Sequence, residues 1–410
     1  MTTHNDDLTL VGTAEFKADA HARYAALRAQ GPIHRVRSAD GTTSWLVVDY
    51  ELGRETLAHP QLSKNPEPFA EQLRASGRHI LLAGSGFGGN MLMADPPEHT
   101  RLRRLVSKAF TPAAIERLAP RVEQLAHELI DAIAPAGTAD LVAAFTGPLP
   151  MAVICDLLGV PEQHRDNLQR WTRRGMGNPS TAQREALLAL NTYLQELLDA
   201  KRAAHADDLL SHLIGVHDDD HGRLSTTELL GTAVILVVAG HETTVNLLGN
   251  AIAALLDHPA QAAHLRANPH DLPGAVEEFL RFDSPVELTP ARFATEDLLL
   301  GGHRIRRGET VTVALTSASR AAGPAETADR LDVTRPDARH LAFGHGIHYC
   351  LGAPLARLEG AVALRVLLNR LPDLAWADPP AQRHWLPAGI TRGPVTLPVR
   401  FTPAGVTALR

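Results

Sequence analysis

Cysteine is scarce in this chain of 410 residues: there are two, Cys155 and Cys350. Two give neither a disulfide framework nor the cysteine set of an iron–sulfur cluster. A basic excess is missing too. Net charge is −6, which removes the overall electrostatic case for nucleic-acid binding. No linker rich in Gly, Ser and Pro, no internal repeat and no long block of like charge divides the sequence. One large, mostly helical domain over residues 1–410 is therefore expected. No continuous apolar run reaches the roughly 18 residues of a membrane span. The opening MTTHNDDLTLVGTAEF has neither a basic start nor an apolar core, so no signal peptide is read there. The expectation is a soluble, cytoplasmic protein, with neither membrane nor nucleic acid among its partners. No dinucleotide-binding fingerprint is present either. What the chain does have is 44% hydrophobic and 21% charged residues, ample for a large core.

The stretch FGHGIHYCLGAPLARLE, residues 343–359, carries the chemistry. Gly344, Gly346 and Gly352 surround Cys350, and glycine lets a backbone turn tightly and approach a ligand. Leu351, Leu355, Leu358, Val362 and Val366 then recur at helical steps, with Pro354 in the first turn. Cys350 thus precedes a helix N-terminus, whose dipole favours a thiolate. No second cysteine and no histidine cluster adjoins it. That suggests a single protein ligand to a metal whose other positions are filled elsewhere. A free cysteine filling a core is the plain alternative, and Cys155, within MAVICDLLGV, is read that way.

A second region is SerThrThrGlu, residues 225–228, a capping box that opens a helix of about 32 residues, roughly 48 Å long. Leu229 to Gly240 is apolar all round and should be buried all round. Ala239-Gly-His-Glu-Thr-Thr244 then places polar groups in the core. Either they form a satisfied polar cluster or the interruption serves chemistry. In the second reading Gly240 makes room for something flat and large, and the Thr243 hydroxyl loosens local helical bonding.

Other elements follow from patterning. Residues 15–30 read as a helix ended by Gly31-Pro32. Strands Ile33–Arg37 and Ser44–Val48 flank a turn at Asp40-Gly41. Residues 66–90, with Gly84, Gly86, Gly88 and Gly89, read as a mobile loop. Asp95 is expected to cap a helix completed by Glu98, on which His99 and Arg103 share a face. Residues 113–134, 150–158 and 182–203 read as helices, and 171–179 as irregular. Glu278 and Arg281 face each other at i, i+3, which taken alone is a surface ion pair. Strands are expected at 287–293, 298–300, 303–305, 310–315 and 395–400.

The ten residues Phe343-Gly-His-Gly-Ile-His-Tyr-Cys350-Leu-Gly352 resemble the haem-ligand loop of the cytochrome P450 family, soluble bacterial (actinobacterial) type. Three further stretches match in order and spacing, so the resemblance covers nearly the whole chain. It implies a mainly α fold with small β-sheets (α+β), with haem between a long central helix and the cysteine loop. It implies heme b (iron protoporphyrin IX) ligated by Cys350, with Phe343, Gly344 and Gly240 close to it. His99, Arg103, Arg292 and His348 would hold the propionates. Glu242 and Thr243 would deliver protons for oxygen activation. Glu278, Arg281 and Arg335 would form a buried structural cluster. Residues 66–90 resemble the loop that covers the substrate pocket, and Gly389-Ile-Thr391 a loop that points into it. Candidate pocket residues are Ile235, Val238, Ala239, Leu288, Thr289 and Ile390. Ala318 to Pro324 departs from the usual Ala-Asn-Arg-Asp-Pro, with Ser319 in place of asparagine.

The activity implied is a monooxygenase that hydroxylates or epoxidises a hydrophobic small molecule with O2. A ferredoxin and ferredoxin reductase would bring two electrons from NAD(P)H, to a monomer. Macrolide- or polyketide-like tailoring is the expected setting, with steroid- or terpenoid-like oxidation beside it. Arg101, Arg104, Lys108 and Arg357 are the expected basic face for an acidic ferredoxin. Coupling, desaturation or C–C cleavage is the alternative chemistry. A haem-based sensor is the alternative of another class, and it has no use for Glu242 and Thr243.

Overall fold

The computed structural model describes residues 8–38, 41–75, 89–108, 110–175, 180–219, 224–378, 383–387 and 389–403. The helices that build the site are α1 (Ala14–Ala18), α2 (Ala20–Gln30), α3 (Glu98–Ser107), α4 (Ala119–Ile133), α5 (Pro148–Leu158), α6 (Arg165–Gly175), α7 (Thr181–Ala203), α8 (Thr226–Asp257), α9 (Leu272–Phe282) and α10 (Ala353–Arg370). The strands are β1 (Thr9–Val11), β2 (Ile33–Ser38), β3 (Thr43–Val47), β4 (Leu62–Ser63), β5 (Thr138–Asp140), β6 (Arg292–Ala294), β7 (Leu298–Leu300), β8 (His303–Ile305), β9 (Thr310–Val313), β10 (Ala375–Trp376) and β11 (Pro398–Arg400).

A six-stranded sheet runs β1-β2-β3-β9-β6-β4, so the N-terminal hairpin and a late segment of the chain share one sheet. Within it β2 and β3 are antiparallel, with Ile33 opposite Val47, while β3 and β9 are parallel. A second sheet runs β10-β11-β5, and β7-β8 is a hairpin.

Helix α8 is the axis of the helical part. Its start is the capping box expected: Glu228 N–H donates to Ser225 Oγ at 3.2 Å, and Ser225 N–H to Glu228 Oε2 at 2.7 Å. Leu247, Leu248 and Ala251 pack with α4, α9 and α10 in one apolar core. Ala233, Val234 and Val237 pack with α5 and α7 in another. By length and average composition α8 could cross a membrane, yet 72% of its most apolar window is buried inside the protein. It is a core helix.

Several boundaries moved. Residues 15–30 break at Asp19, which closes α1 and opens α2. Asp95 does not cap α3: its carboxylate accepts from Ser63 Oγ and from Lys64 N–H at 2.9 Å, and Pro96 and Pro97 offer no N–H. The expected strand at 287–293 shrinks to β6. Both Glu287 and Leu288 N–H turn to the Ile390 carbonyl, and Pro290 cannot donate. β9 ends at Val313 and β11 begins at Pro398. Trp171 to Gly175 is the end of α6 rather than irregular. Within the expected 66–90 loop, Ala70–Ala75 is helical, while Gly84, Gly86 and Gly88 lie outside the described residues. Asp40 also lies outside them.

Candidate functional site

The loop before α10 is closed by its own backbone. Gly344 N–H donates to Leu341 O at 2.7 Å and Cys350 N–H to Phe343 O at 2.9 Å. Gly344 and Gly346 take φ of +74° and +73°, which side-chain-bearing residues adopt at a cost. A Cβ at Gly346 would stand 3.3 Å from Ala58 Cα, so the loop also lies hard against the helix ending at Ala58. Ser319 accepts the Leu341 N–H at 3.0 Å. The residue that departs from the usual turn thus holds the base of the loop. Cys350 is exposed. Burial pushes its thiol up; the N–H groups of Gly352 and Ala353, aimed at the sulfur, and the charges of Arg103 and Arg357 pull the other way. Pro354 occupies the first turn of α10, as expected.

Beside this loop lies a group of bases with little to bind. The His99 and His348 rings stand 4.4 Å apart. Both ring nitrogens of His99, Nε2 of His348 and Nε of Arg292 are buried without a hydrogen-bond partner among the described residues. Burial lowers all three, Arg292 to about 10, and neighbouring positive charge adds to it at the two histidines, bringing His348 to about 3 and moving His99 in the same direction. Lys64 belongs to the group, and the sequence reading missed it. It is 3% exposed, its ammonium reaches the Pro290 and Ala291 carbonyls at 3.3 and 3.5 Å, and burial and Arg292 bring it to about 7. Asp95 is the acid whose charge reaches His99, Lys64 and Arg292, and its oxygens are already engaged. Buried bases that repel one another and have orphaned N–H groups fit a dianionic ligand. Two carboxylates, such as haem propionates, would satisfy them.

In the middle of α8, Ala239 is exposed although the helix around it is buried, and Gly240 and Thr243 are half-buried. Open space therefore meets the helix at this point. The Thr243 hydroxyl donates to the Ala239 carbonyl at 2.6 Å, the back-bond anticipated. Glu242 is buried, and burial raises its carboxyl against the pull of Arg173. His241 next to it was not singled out from sequence. Its Nε2 donates to Gly147 O at 3.2 Å, burial holds it down to about 4, and its Nδ1 lies 4.0 Å from Glu242 Oε2. The Gly240 expectation is corrected. A Cβ there would point at Ile154 Cδ1, 3.0 Å away, so the glycine lets α8 cross α5 rather than admitting a ligand.

The pocket candidates separate. Ile235 and Ala239 lie on the Thr243 face of α8, at i and i+4 steps. Val238 instead packs into the helical core. Thr289 is buried and its Oγ1 accepts the Val313 N–H at 3.0 Å, so its hydroxyl serves the sheet. Leu288 and Ile390 are half-buried, joined by the Leu288 N–H to Ile390 carbonyl bond of 3.1 Å.

The comparisons with known proteins agree with this geometry. The Cytochrome P450 family model matches residues 171–372. The cytochrome P450 monooxygenase PikC of Streptomyces venezuelae is 46% identical over 398 residues, covering 96% of this chain and 94% of that one. The chain belongs to the cytochrome P450 family. The 6-deoxyerythronolide B hydroxylase of Saccharopolyspora erythraea is 40% identical, over 94% of this P450 and 97% of its own length. The tirandamycin C-bound structure of the P450 monooxygenase TamI superposes with a TM-score of 0.88 at 42% identity, covering 96% of this chain and all of that one (100%). This P450 is therefore a monooxygenase, and its family carries haem.

In this P450 two adjacent acids of α9 anchor two separate arginine clusters. Glu278 is fully buried and forks to Arg281 at 2.6 and 2.9 Å, while Arg335 Nε reaches it at 3.0 Å. Asp332 N–H adds a bond at 2.9 Å. The three residues expected to cluster do so, and the surface-pair reading falls. Glu277, unnoticed in the sequence, accepts both arms of Arg357 at 2.7 and 2.8 Å and meets His340 Nε2 at 3.1 Å. Burial raises its carboxyl, but these partners outweigh that and bring it to about 2. Arg357 also lies over the Phe343 ring, 4.7 Å from its centroid. Of the four bases expected to face a redox partner, Arg357 is thus engaged, and Arg101 pairs with Glu228. Arg104 and Lys108 are exposed.

Proposed function

We propose that this P450 inserts one oxygen atom of O2 into a hydrophobic, polyketide-like small molecule, with heme b held through Cys350. The observation that carries the assignment is an exposed cysteine at a helix start, with two backbone N–H groups aimed at its sulfur and unpaired bases beside it. His99, Arg103, Arg292, His348 and Lys64 would take the propionates, and Phe343 and Gly344 the proximal side. When bound, the haem supplies O–O cleavage favoured by thiolate donation, an established property of this class.

The chain's own part is position and proton supply. Burial keeps Glu242 protonated to higher pH than a free carboxyl, so it can donate a proton at the Thr243 side of the helix. His241, neutral and fixed through Nε2, leaves its Nδ1 4.0 Å from that carboxyl, beyond direct hydrogen-bond reach. Ile235, Ala239, Leu288 and Ile390 shape an apolar pocket and exclude water. Polyketide-type substrates are favoured because the 6-deoxyerythronolide B hydroxylase and the tirandamycin C-bound TamI are similar along nearly their whole lengths. Electrons come from a ferredoxin and its NAD(P)H-dependent reductase, docking at the Arg104 and Lys108 side of a cytoplasmic monomer.

The test is spectroscopic. Dithionite-reduced protein under carbon monoxide is expected to show the thiolate-type band, and Cys350→His to lose it together with oxygenation. An imidazole-type band in the wild type, or a protein without pigment, overturns the proposal. Spin-state titration against macrolactones, linear polyketides and steroids identifies the substrate class.

A further inference from the structure

Lys17 is completely buried on a five-residue helix near one end of the chain, and its ammonium grips the other end. Nζ donates to the Gly389 carbonyl at 3.0 Å and to the Thr391 carbonyl at 2.7 Å, the two that flank Ile390. The Ile390 carbonyl itself accepts the N–H groups of Glu287 at 2.8 Å and Leu288 at 3.1 Å. Three successive carbonyls of the turn are therefore anchored, and Gly389 supplies the positive φ of 78° that the turn needs.

The ammonium is balanced locally. Glu287 Oε2 lies 3.8 Å from Nζ, and the Tyr24 hydroxyl donates to Glu287 Oε1 at 2.8 Å. One residue beyond the turn, Arg392 Nε donates to Asp283 at 2.8 Å and Nη1 to the Lys17 carbonyl at 2.6 Å. Asn250 of α8 donates to the carbonyls of Asp283 and Arg392 at 3.0 and 3.1 Å. Two cations and two anions are sealed together, and His21 lies 3.5 Å from Asp283. Apolar residues of similar volume would fill this space without the desolvation cost. What they would not do is fix the direction of the Gly389 and Thr391 carbonyls. Ile390 lies at the centre of the arrangement, half-buried and outside every apolar cluster of the described core.

We propose that Lys17 is a positioning residue for substrate selection: by holding the carbonyls on either side of Ile390 it sets how far that side chain projects into the pocket. This rests on the reading of Ile390 as a pocket wall. Lys17 and Glu287 touch neither substrate nor cofactor and act through the turn.

The haem-loaded protein is tested with two probes that bind the iron directly, imidazole and the bulky clotrimazole. Lys17→Met/Glu287→Gln removes one charge of each sign and keeps the balance. Expected is an imidazole Kd within about twofold of wild type and a clotrimazole Kd changed by about fivefold or more. Hydrogen exchange of the peptide over 389–393 should also quicken. Unchanged affinity for both azoles overturns the proposal. So does an equal change for both, which would report general loosening. Should the double variant fail to fold, Lys17→Arg keeps the charge and alters the donor geometry, and the same size-selective change is expected. A wild type without any azole spectral shift overturns the haem reading itself, an outcome distinct from the other two.

Discussion

Arg357 forks onto Glu277 through both carboxylate oxygens, at 2.7 and 2.8 Å, and its guanidinium covers the Phe343 ring. An arginine so engaged has little charge left for a visiting protein. Its work is to clamp the front of the cysteine loop to α9. Charge reversal at Arg104 and Lys108 is therefore expected to slow reduction by an acidic ferredoxin at low salt and to flatten its salt dependence. Arg357→Gln should leave that salt dependence in place and instead lower thermal stability. Stopped-flow reduction across ionic strength checks both. Equal rates for wild type and the Arg104/Lys108 reversal would refute docking at that face.

The Thr243 hydroxyl is spent on Ala239 O at 2.6 Å, so a proton passing it must break or share that bond. Thr243→Ala is expected to cut product formation by as much as about 10²-fold, the usual weight of a proton-transfer group. Hydrogen peroxide released per NADPH should rise accordingly. Coupling as tight as in wild type would place proton delivery elsewhere.

Lys64→Met should weaken haem retention without disturbing the fold. One charge-assisted hydrogen bond of about 1.5 kcal/mol corresponds to roughly tenfold faster haem loss. Transfer to excess apomyoglobin, followed by absorbance, measures it. A transfer rate equal to wild type would remove Lys64 from the carboxylate-binding group.

Glu359 of α10 is buried at 1% exposure, its Oε2 has no hydrogen-bond partner among the described residues, and burial raises its carboxyl to about 8. The folded value lies above the unfolded one. Its neutral form therefore contributes fully below the ordinary carboxyl range, and that contribution is lost as pH rises towards 8. Across that span the loss is roughly 4–5 kcal/mol. Glu359→Gln should flatten stability between pH 5 and pH 8 and make the variant the more stable form at pH 8. Urea unfolding at several pH values reads this directly, and an unchanged pH slope contradicts it.

Much of this was readable from residues alone, for identifiable reasons. Cys350 and its glycines form a local pattern, and the Ser225–Glu228 box needs only its own four residues. Glu278 was visible because Arg281 follows at one helical turn. Glu277 was not: its partners Arg357 and His340 are 80 and 63 positions away, and an acid next to another acid carries no signal. Lys64 and Lys17 escaped for the same reason, since a lysine reads as surface until tertiary packing buries it. Asp95 misled because a helix-start pattern is local, whereas its carboxylate was claimed by a distant strand. Gly240 was read as room for a ligand, while the contact at its Cβ position comes from Ile154 of another helix.

That last contact has a practical side. Ile154 sits 3.0 Å from where a methyl on residue 240 would stand. Residue 154 therefore governs how closely α5 and α8 can cross. A protein engineer wanting a side chain at position 240 would have to alter residue 154 with it, so the two positions change only as a pair.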